Sequence, residues 1–403
     1  MEIDLNDRHR QQLLEDGFVV VPGVIPPADL QSLRTAFERL VDRQREIWRQ
    51  ERKAGDPPDG VWETSAQPRL GSYDGLVNDR ETAATVELIL GRPREVSHAI
   101  MGAEEVAPTQ FMLMCNPRRD HGPAAWHRDI HPVDQAPVCG LQADLLANGP
   151  GYLQWNLPLY DDDVLWVVPG SHRRPNSDAE NAHLTEDPRQ ALPGGMQVEL
   201  KAGDGVVYTN LILHWGSDYS AKLRRTVHFG FRSFGGQQLP YVQGLHRRGD
   251  ARPHLSADAQ ARWTRHRALY LADCDRMETA FRAAIDGDGV RFREQVAALH
   301  PGEEERLVCA ILLSKLAHKL RFEQHPERRG YGGDFTQEVE LKPRFTSREL
   351  QLLWRRFEPL DNGLKAEGGE AFVPGYQSGP MSYRFEEMPD QPESLEAFVA
   401  EWS

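Results

Sequence analysis

Between residues 109 and 234 the chain places apolar side chains at every second position, and no other feature constrains the fold as much. Side chains two apart on an extended strand share a face, so an alternating run buries one side and wets the other. Eight runs carry the pattern: TQFMLMC (109–115), AAWHRDI (124–130), VCGLQADLL (138–146), GYLQWNLPLY (151–160), VLWVV (164–168), MQVEL (196–200), GVVYTNLIL (205–213) and RTVHFGFRSF (225–234). Gly-, Pro- and Asp-rich turns separate them. Eight short strands at this spacing predict a mainly β core folded as a double-stranded β-helix, or jelly roll, rather than alternating βαβ units.

Helical periodicity flanks this core. Residues 7–16 read as a short helix and GFVVVPG (17–23) as a strand; after Pro26-Pro27 the series Leu30, Leu33, Phe37, Leu40 and Val41 keeps helical spacing. A second helix is expected over Arg80–Leu90 and a loop over most of 50–80. Beyond residue 250 helices return at 256–285, 290–299 and 303–320, followed by a capping-box pattern, Thr346 and Glu349, before LQLLWRRF and a last short helix near 393–402. The expected division is a domain over residues 1–245 with N-terminal helical support and a C-terminal helical extension over 246–403, which docks on the core, stands alone or serves as a homodimer arm.

Composition narrows the function. A net charge of −14 disfavours nucleic acid, which needs concentrated positive surface. No apolar run approaches the roughly 18 residues of a membrane span. The charged start MEIDLNDRHRQQLLEDG lacks the apolar stretch of a secretory signal. Cys115, Cys139, Cys274 and Cys309 lie far apart without CxxC spacing, as reduced thiols of a cytoplasmic protein would. The expectation is a cytoplasmic protein acting on a small molecule.

Three features bear chemistry. WHRDIHP (126–132) puts His127 and Asp129 on one face of a strand. His214 ends the apolar run GVVYTNLILHW. In RTVHFGFRSF the alternation sets Arg225 on the apolar face with Val227, Phe229 and Phe231, and Thr226, His228, Gly230 and Arg232 on the other. Taking the apolar face as the interior, Arg225 is a lone buried cation that requires an anion, either a structural carboxylate or that of a bound ligand. Two imidazoles and one carboxylate on one side of a metal leave positions open, the arrangement of non-haem Fe(II) oxygenases. Arg225, eleven residues after His214, suits the far carboxylate of a chelating 2-oxo acid such as 2-oxoglutarate.

The order H-x-D, distant His, then Arg at +11 resembles the phytanoyl-CoA dioxygenase family of Fe(II)/2-oxoglutarate oxygenases. QLLEDGFVVVPGVIPPADLQSLRTAFERL is similar to that family's N-terminal helix–strand–helix, LWVVPGSHRRP (165–175) to its L-x-VVPGSH segment, and LKAGDGVVYTNLILHWGS to its GD…H strand pair. The resemblance covers about residues 7–235. It implies that His127, Asp129 and His214 ligate iron, that Arg225 binds 2-oxoglutarate, and that Trp155 packs on that cosubstrate. Asp129 is present where halogenating members lack it, which favours hydroxylation or a related oxidation, with O2 consumed and succinate and CO2 released. Two departures stand out: DDDV (161–164) replaces the family's Asn-Gly turn, and Gly216 stands where a Ser is common. His131, His172, His228 and Arg224 default to structural roles, and the polar stretch 173–195 is a candidate lid. The competing hypotheses are a cupin-like isomerase or lyase using a divalent metal as Lewis acid, and a non-enzymatic scaffold.

Overall fold

The computed structural model describes residues 5–402 apart from 72, 74, 236–243, 245–250, 322–335, 367–372, 377–381 and 385. The domain boundary expected at 245/246 lies outside them. Helix α1 (Leu5–Asp16) stops at Gly17, whose φ of 86° is one that glycine tolerates, and β1 (Phe18–Val21) follows. Pro27 opens α2 (Pro27–Glu51) in the first turn, where its missing N–H is not needed. A single turn, α3 (Val61–Thr64), and a two-residue strand, β2 (Arg69–Leu70), lead to α4 (Arg80–Leu90), capped by the Asp79 side chain accepting from Thr82 N. Sequence periodicity does not reveal α5 (Arg92–Met101), which starts at a Gly-Arg-Pro step and ends on left-handed Gly102.

Then come β3 (Glu105–Cys115), α6 (Val138–Asn148), β4 (Tyr152–Pro158), β5 (Asp162–Val167), α7 (Asp178–Glu186), β6 (Met196–Leu200), β7 (Gly205–Tyr208), β8 (His214–Trp215) and β9 (Arg225–Phe234). Among the described residues the named strands pair antiparallel throughout, in a six-stranded sheet ordered β1-β7-β4-β9-β3-β2 and a three-stranded sheet ordered β6-β5-β8. The architecture is thus mixed, antiparallel sheets with helices.

Three expected strands differ. Residues 138–146 form α6: its buried positions Val138, Leu141, Gln142 and Leu145 follow helical spacing, and Pro137 presets the entry. Residues 124–130 are extended but make only isolated bridges, because their amides go to different partners: His127 N to His214 O, Arg128 N to Gly375 O and Asp129 N to Asn210 O. The run 205–213 is a strand only to Tyr208, then turns with Ile212 N on Thr209 O before β8.

The two faces of the large sheet have opposite characters. Opposed residues share a face, and Phe111, Phe229 and Trp155 form one such row. With Leu113, Leu153, Leu157, Val227 and Phe231 they pack against Phe37 and Leu40 of α2, Val86 and Ile89 of α4, and Val96 and Ile100 of α5. The other face meets the small sheet. At its β1/β7 end Phe18, Val206 and Tyr208 pack on Leu165, Val167, Val198 and Leu200. Towards β4, β9 and β3 that face turns polar, with Asn156 opposite His228 and His228 opposite Met112.

The C-terminal region docks on this core. Its elements are α8 (Ala257–Asp286), α9 (Gly289–Leu299), α10 (Arg306–Arg321), α11 (Thr336–Leu341), α12 (Ser347–Gly363) and α13 (Leu395–Ala400), with the Thr346/Glu349 capping box opening α12. Helix α8 covers the far end of β9: Arg232 pairs with Asp273 at 2.6 Å, both buried, and Phe234 meets Tyr270 edge-on at 5.1 Å. Met277, Phe281, Ile311, Leu316 and Phe357 share one cluster with Ile130, Val133, Leu141 and Leu211, and His300 Nε2 meets Asp144 Oδ1 at 2.7 Å with no exposure. These helices therefore bury apolar side chains against the core.

Candidate metal centre

His127 and His214 exchange backbone bonds, N to O at 2.8 and 2.9 Å, so the extended segment and β8 present their rings side by side, 4.5 Å apart. Asp129, two residues on, points to the same side. One ligand atom from each of His127, Asp129 and His214 lies within 4.8 Å of the others. The ring nitrogens are committed in a way that suits a metal. His127 Nδ1 meets Ala125 O at 2.8 Å and His214 Nδ1 meets Ile212 O at 3.0 Å. A carbonyl only accepts, so each Nδ1 carries the proton and donates it, leaving the Nε2 lone pairs free. Those two Nε2 atoms sit 3.5 Å from Asp129 Oδ1 and Oδ2 respectively. Gln154 Nε2 donates to Asp129 Oδ2 at 2.8 Å and fixes the carboxylate plane.

Electrostatics agree with the geometry. Burial and the charge of His127 push His214 down to about 4, so its ring is neutral. Burial also presses on His127, but Asp129 outweighs it and leaves that ring above its ordinary value. Asp129 itself, which burial alone would raise, is held far below the usual carboxylate range by His214, His127 and Gln154. Two imidazole nitrogens and one anionic oxygen on one side are a fitting donor set for a divalent first-row metal, with His127 giving up any Nε2 proton as the metal binds. Across from it, Met112, Met114 and His228, mid-strand residues of the polar face, are partly buried while their neighbours on the apolar face, Leu113, Val227 and Phe229, are fully buried.

The structure does not bring Arg225 or Trp155 to this group. Arg225 lies on the apolar face, which points at the helices. Its Nε is 2.7 Å from Glu38 Oε1 of α2, its Nη1 donates to Asn116 Oδ1 and Arg224 O at 3.2 and 2.8 Å, and Trp62 lies under it. The required anion is thus the structural carboxylate of Glu38. Trp155 is on that same face, stacked on Phe229 at 5.8 Å, with Nε1 donating to Ser97 Oγ of α5 at 2.9 Å.

Arg224 is the guanidinium on the pocket side, sharing parity with Thr226 and His228. Its Nε donates to Asp162 Oδ2 at 2.9 Å, and its terminal nitrogens meet no partner among the described residues. Its charge acts on Tyr208 and His228. His228 Nδ1 meets Asn156 Oδ1 at 2.8 Å, and burial drives its ring to about 4. Above Gly230, whose missing side chain leaves the space, sit Tyr152 Oη and Thr109 Oγ1. Gln154 escaped sequence reasoning, and Arg224 and His228 were read there as structural, although strand parity alone groups Arg224 with His228. His131 starts a turn, its carbonyl accepting from Asp134 and Gln135, and stands outside the metal-binding group. His172 Nε2 donates to Leu14 O at 3.1 Å, a structural role. Residues 173–195, the candidate lid, form a strap that includes α7. Helix α7 carries a Ser177/Glu180 capping box, and Pro188 O and Gln190 O accept from Trp126 N and Nε1 at 2.8 and 2.7 Å.

Residues 13–226 match the family described as Phytanoyl-CoA dioxygenase. No curated protein matches. Similar solved structures include the non-haem α-ketoglutarate-dependent epimerase SnoN from nogalamycin biosynthesis, 17% identical, covering 57% of this chain and 81% of that one with a TM-score of 0.40. EvdO2 from Micromonospora carbonacea var. aurantiaca complexed with 2-oxoglutarate is 18% identical, with 60% and 95% covered and a TM-score of 0.38. EctD from S. alaskensis with 2-oxoglutarate and 5-hydroxyectoine is 15% identical, with 60% and 82% covered and a TM-score of 0.40.

Proposed function

Because this chain belongs to the phytanoyl-CoA dioxygenase family, we propose that it is an Fe(II)- and 2-oxoglutarate-dependent dioxygenase that hydroxylates an unactivated C–H bond of a small molecule. Iron bound there supplies O2 activation coupled to decarboxylation of 2-oxoglutarate to succinate and CO2. The observation that carries the reading is the gathering of two imidazole Nε2 atoms, each 3.5 Å from an oxygen of one Gln154-braced carboxylate, into a group whose ligand atoms lie within 4.8 Å of one another. His127, Asp129 and His214 hold the metal on one side. Arg224 replaces Arg225 as the residue that takes the far carboxylate of 2-oxoglutarate, through the terminal N–H groups that Asp162 leaves unused. Met112, Met114 and His228 line the substrate's approach. The paired antiparallel sheets suit a double-stranded β-helix over the 1–245 domain, with 246–403 as its extension. Among the described residues no helix is long and apolar enough to cross a membrane, and the four cysteines are free thiols, in keeping with a reducing cytoplasm.

The test is oxygen-dependent succinate formation from 2-oxoglutarate by the iron-loaded protein, with Asp129→Ala as control. Loss of both metal uptake and succinate in the variant is expected. Succinate formation undiminished by Asp129→Ala rules the reading out.

A further inference from the structure

The residue between the first two ligands points away from the pocket, as strand alternation demands. Arg128 is fully buried, 0% exposed, and no carboxylate among the described residues pairs with it. Neutral oxygens meet its charge instead. Nη1 donates to Ser171 O at 2.7 Å and to Leu211 O, and Nη2 to Asn176 Oδ1 at 2.9 Å and Arg174 O at 3.3 Å. Leu211 lies three residues before His214, and Leu213 N donates to Ser171 Oγ at 2.8 Å. One guanidinium thus ties the backbone bearing His127 and Asp129 to the backbone bearing His214.

The C-terminal region completes the tie. Arg128 N donates to Gly375 O at 2.8 Å, in a parallel bridge with Tyr376. Asn176, which holds Arg128 through Oδ1, donates from Nδ2 to Pro374 O at 2.8 Å. Gly375 adopts φ 85°, and a Cβ there would stand 2.9 Å from Asn176 Nδ2 and 3.1 Å from Leu184 Cδ1. A buried guanidinium is tolerable only with its acceptors in place together, so these segments hold one another.

We infer that Arg128 and the segment Val373–Tyr376 form a clamp that sets the spacing between the His127–Asp129 pair and His214. Metal affinity then depends on a part of the chain beyond the family match at residues 13–226. Arg128 is a positioning residue and touches no reacting atom. Linkage makes the effect reciprocal: if the docked segment favours metal, metal favours the docked segment. The inference rests on the proposed function only in requiring that the centre take a metal.

The test is Co2+ titration of the full chain, followed by the d–d absorption of bound cobalt, for wild type, Asn176→Ala and Gly375→Ala, with Arg128→Gln as the severe variant. Circular dichroism without metal reports folding. Folded Asn176→Ala and Gly375→Ala should bind Co2+ about 10- to 100-fold more weakly and with an altered band shape, the range typical of lost outer-shell support. In wild type, saturating Co2+ should slow hydrogen exchange over 373–376. Unchanged affinity and spectrum in the folded variants overturns the clamp, as does exchange over 373–376 that ignores Co2+ in wild type, a measurement that stands even where a variant does not fold. If wild type takes up no Co2+, the metal centre itself is refuted and the clamp falls with it.

Discussion

Replacing Arg224 by Gln, together with Asp162 by Asn, should weaken 2-oxoglutarate binding by about 100-fold or more while sparing the metal ligands. The double change matters: Arg224 and Asp162 pair at 2.9 Å with little exposure, and removing the arginine alone strands a buried carboxylate. A bidentate guanidinium–carboxylate contact supplies two charge-assisted hydrogen bonds, and losing it costs about 3 kcal/mol or more. At about 1.4 kcal/mol per decade that weakens binding by about 100-fold or more. Arg225→Gln acts differently. It removes the contact with Glu38 at 2.7 Å, whose side chain is 38% exposed and therefore screened, and the bonds to Asn116 and Arg224 O. That costs about 2 kcal/mol of stability. With an unfolding entropy of about 2.1 cal/mol/K per residue over 403 residues, the midpoint falls by about 2 °C, and cosubstrate affinity is untouched. The assay is an anaerobic titration of the Fe(II)-loaded protein with 2-oxoglutarate, read from the visible charge-transfer band, with Asp162→Asn alone as a control that still binds. Retained binding in Arg224→Gln/Asp162→Asn alongside lost binding in Arg225→Gln would refute the assignment of Arg224.

Three further outcomes are expected. Gly230→Ala places a Cβ 2.5 Å from Tyr152 Oη and 2.6 Å from Thr109 Oγ1, and the forced shift should cost about 1–3 kcal/mol in urea unfolding; an unmoved midpoint contradicts the packing of that face. Gln154→Leu deprives Asp129 Oδ2 of its donor and should weaken Co2+ binding about tenfold by calorimetry; affinity equal to wild type means the amide does not steer the carboxylate. His172 is lowered by burial from 6.5 to about 4, so the folded state prefers the neutral ring. Its contribution is complete above about pH 6.5, is lost as pH falls towards 4, and levels off below. The span sets about 3 kcal/mol, and His172→Gln should flatten that acid limb of the stability–pH curve relative to wild type; parallel curves refute it.

What could be read from the chain depended on which partner each pattern faces. RTVHFGFRSF and MQVEL match β9 and β6 residue for residue because both faces of each strand carry a clear pattern. VCGLQADLL misleads because a short apolar run fits either period, and only its neighbour across the core, the apolar side of α10, decides for helix. The shared face of His127 and Asp129 was visible because it follows from local alternation, while His214 joins them through a backbone pairing across the sheet. Arg225 lies away from the candidate metal centre, against Glu38, for a different reason. The apolar face of a strand seeks the largest apolar partner, here α2, α4 and α5, whereas the wall of a catalytic cavity is polar. Trp155 faces Ser97 of α5 by the same logic. The contribution of Val373–Tyr376 was beyond reach, since a contact across more than two hundred residues leaves no periodic trace.

The strap over 173–195 constrains how this protein can diversify. Its Pro188 and Gln190 carbonyls hold Trp126, the immediate neighbour of His127. Loop grafts or insertions there would disturb ion retention before they altered selectivity. The segments Arg118–Asp120 and Tyr219–Leu223, where Tyr219 and Leu223 are already exposed, make no hydrogen bond to Trp126, His127 or His214. Directed evolution of scope should therefore find its productive changes in those segments, and inactive, metal-poor clones beneath the strap.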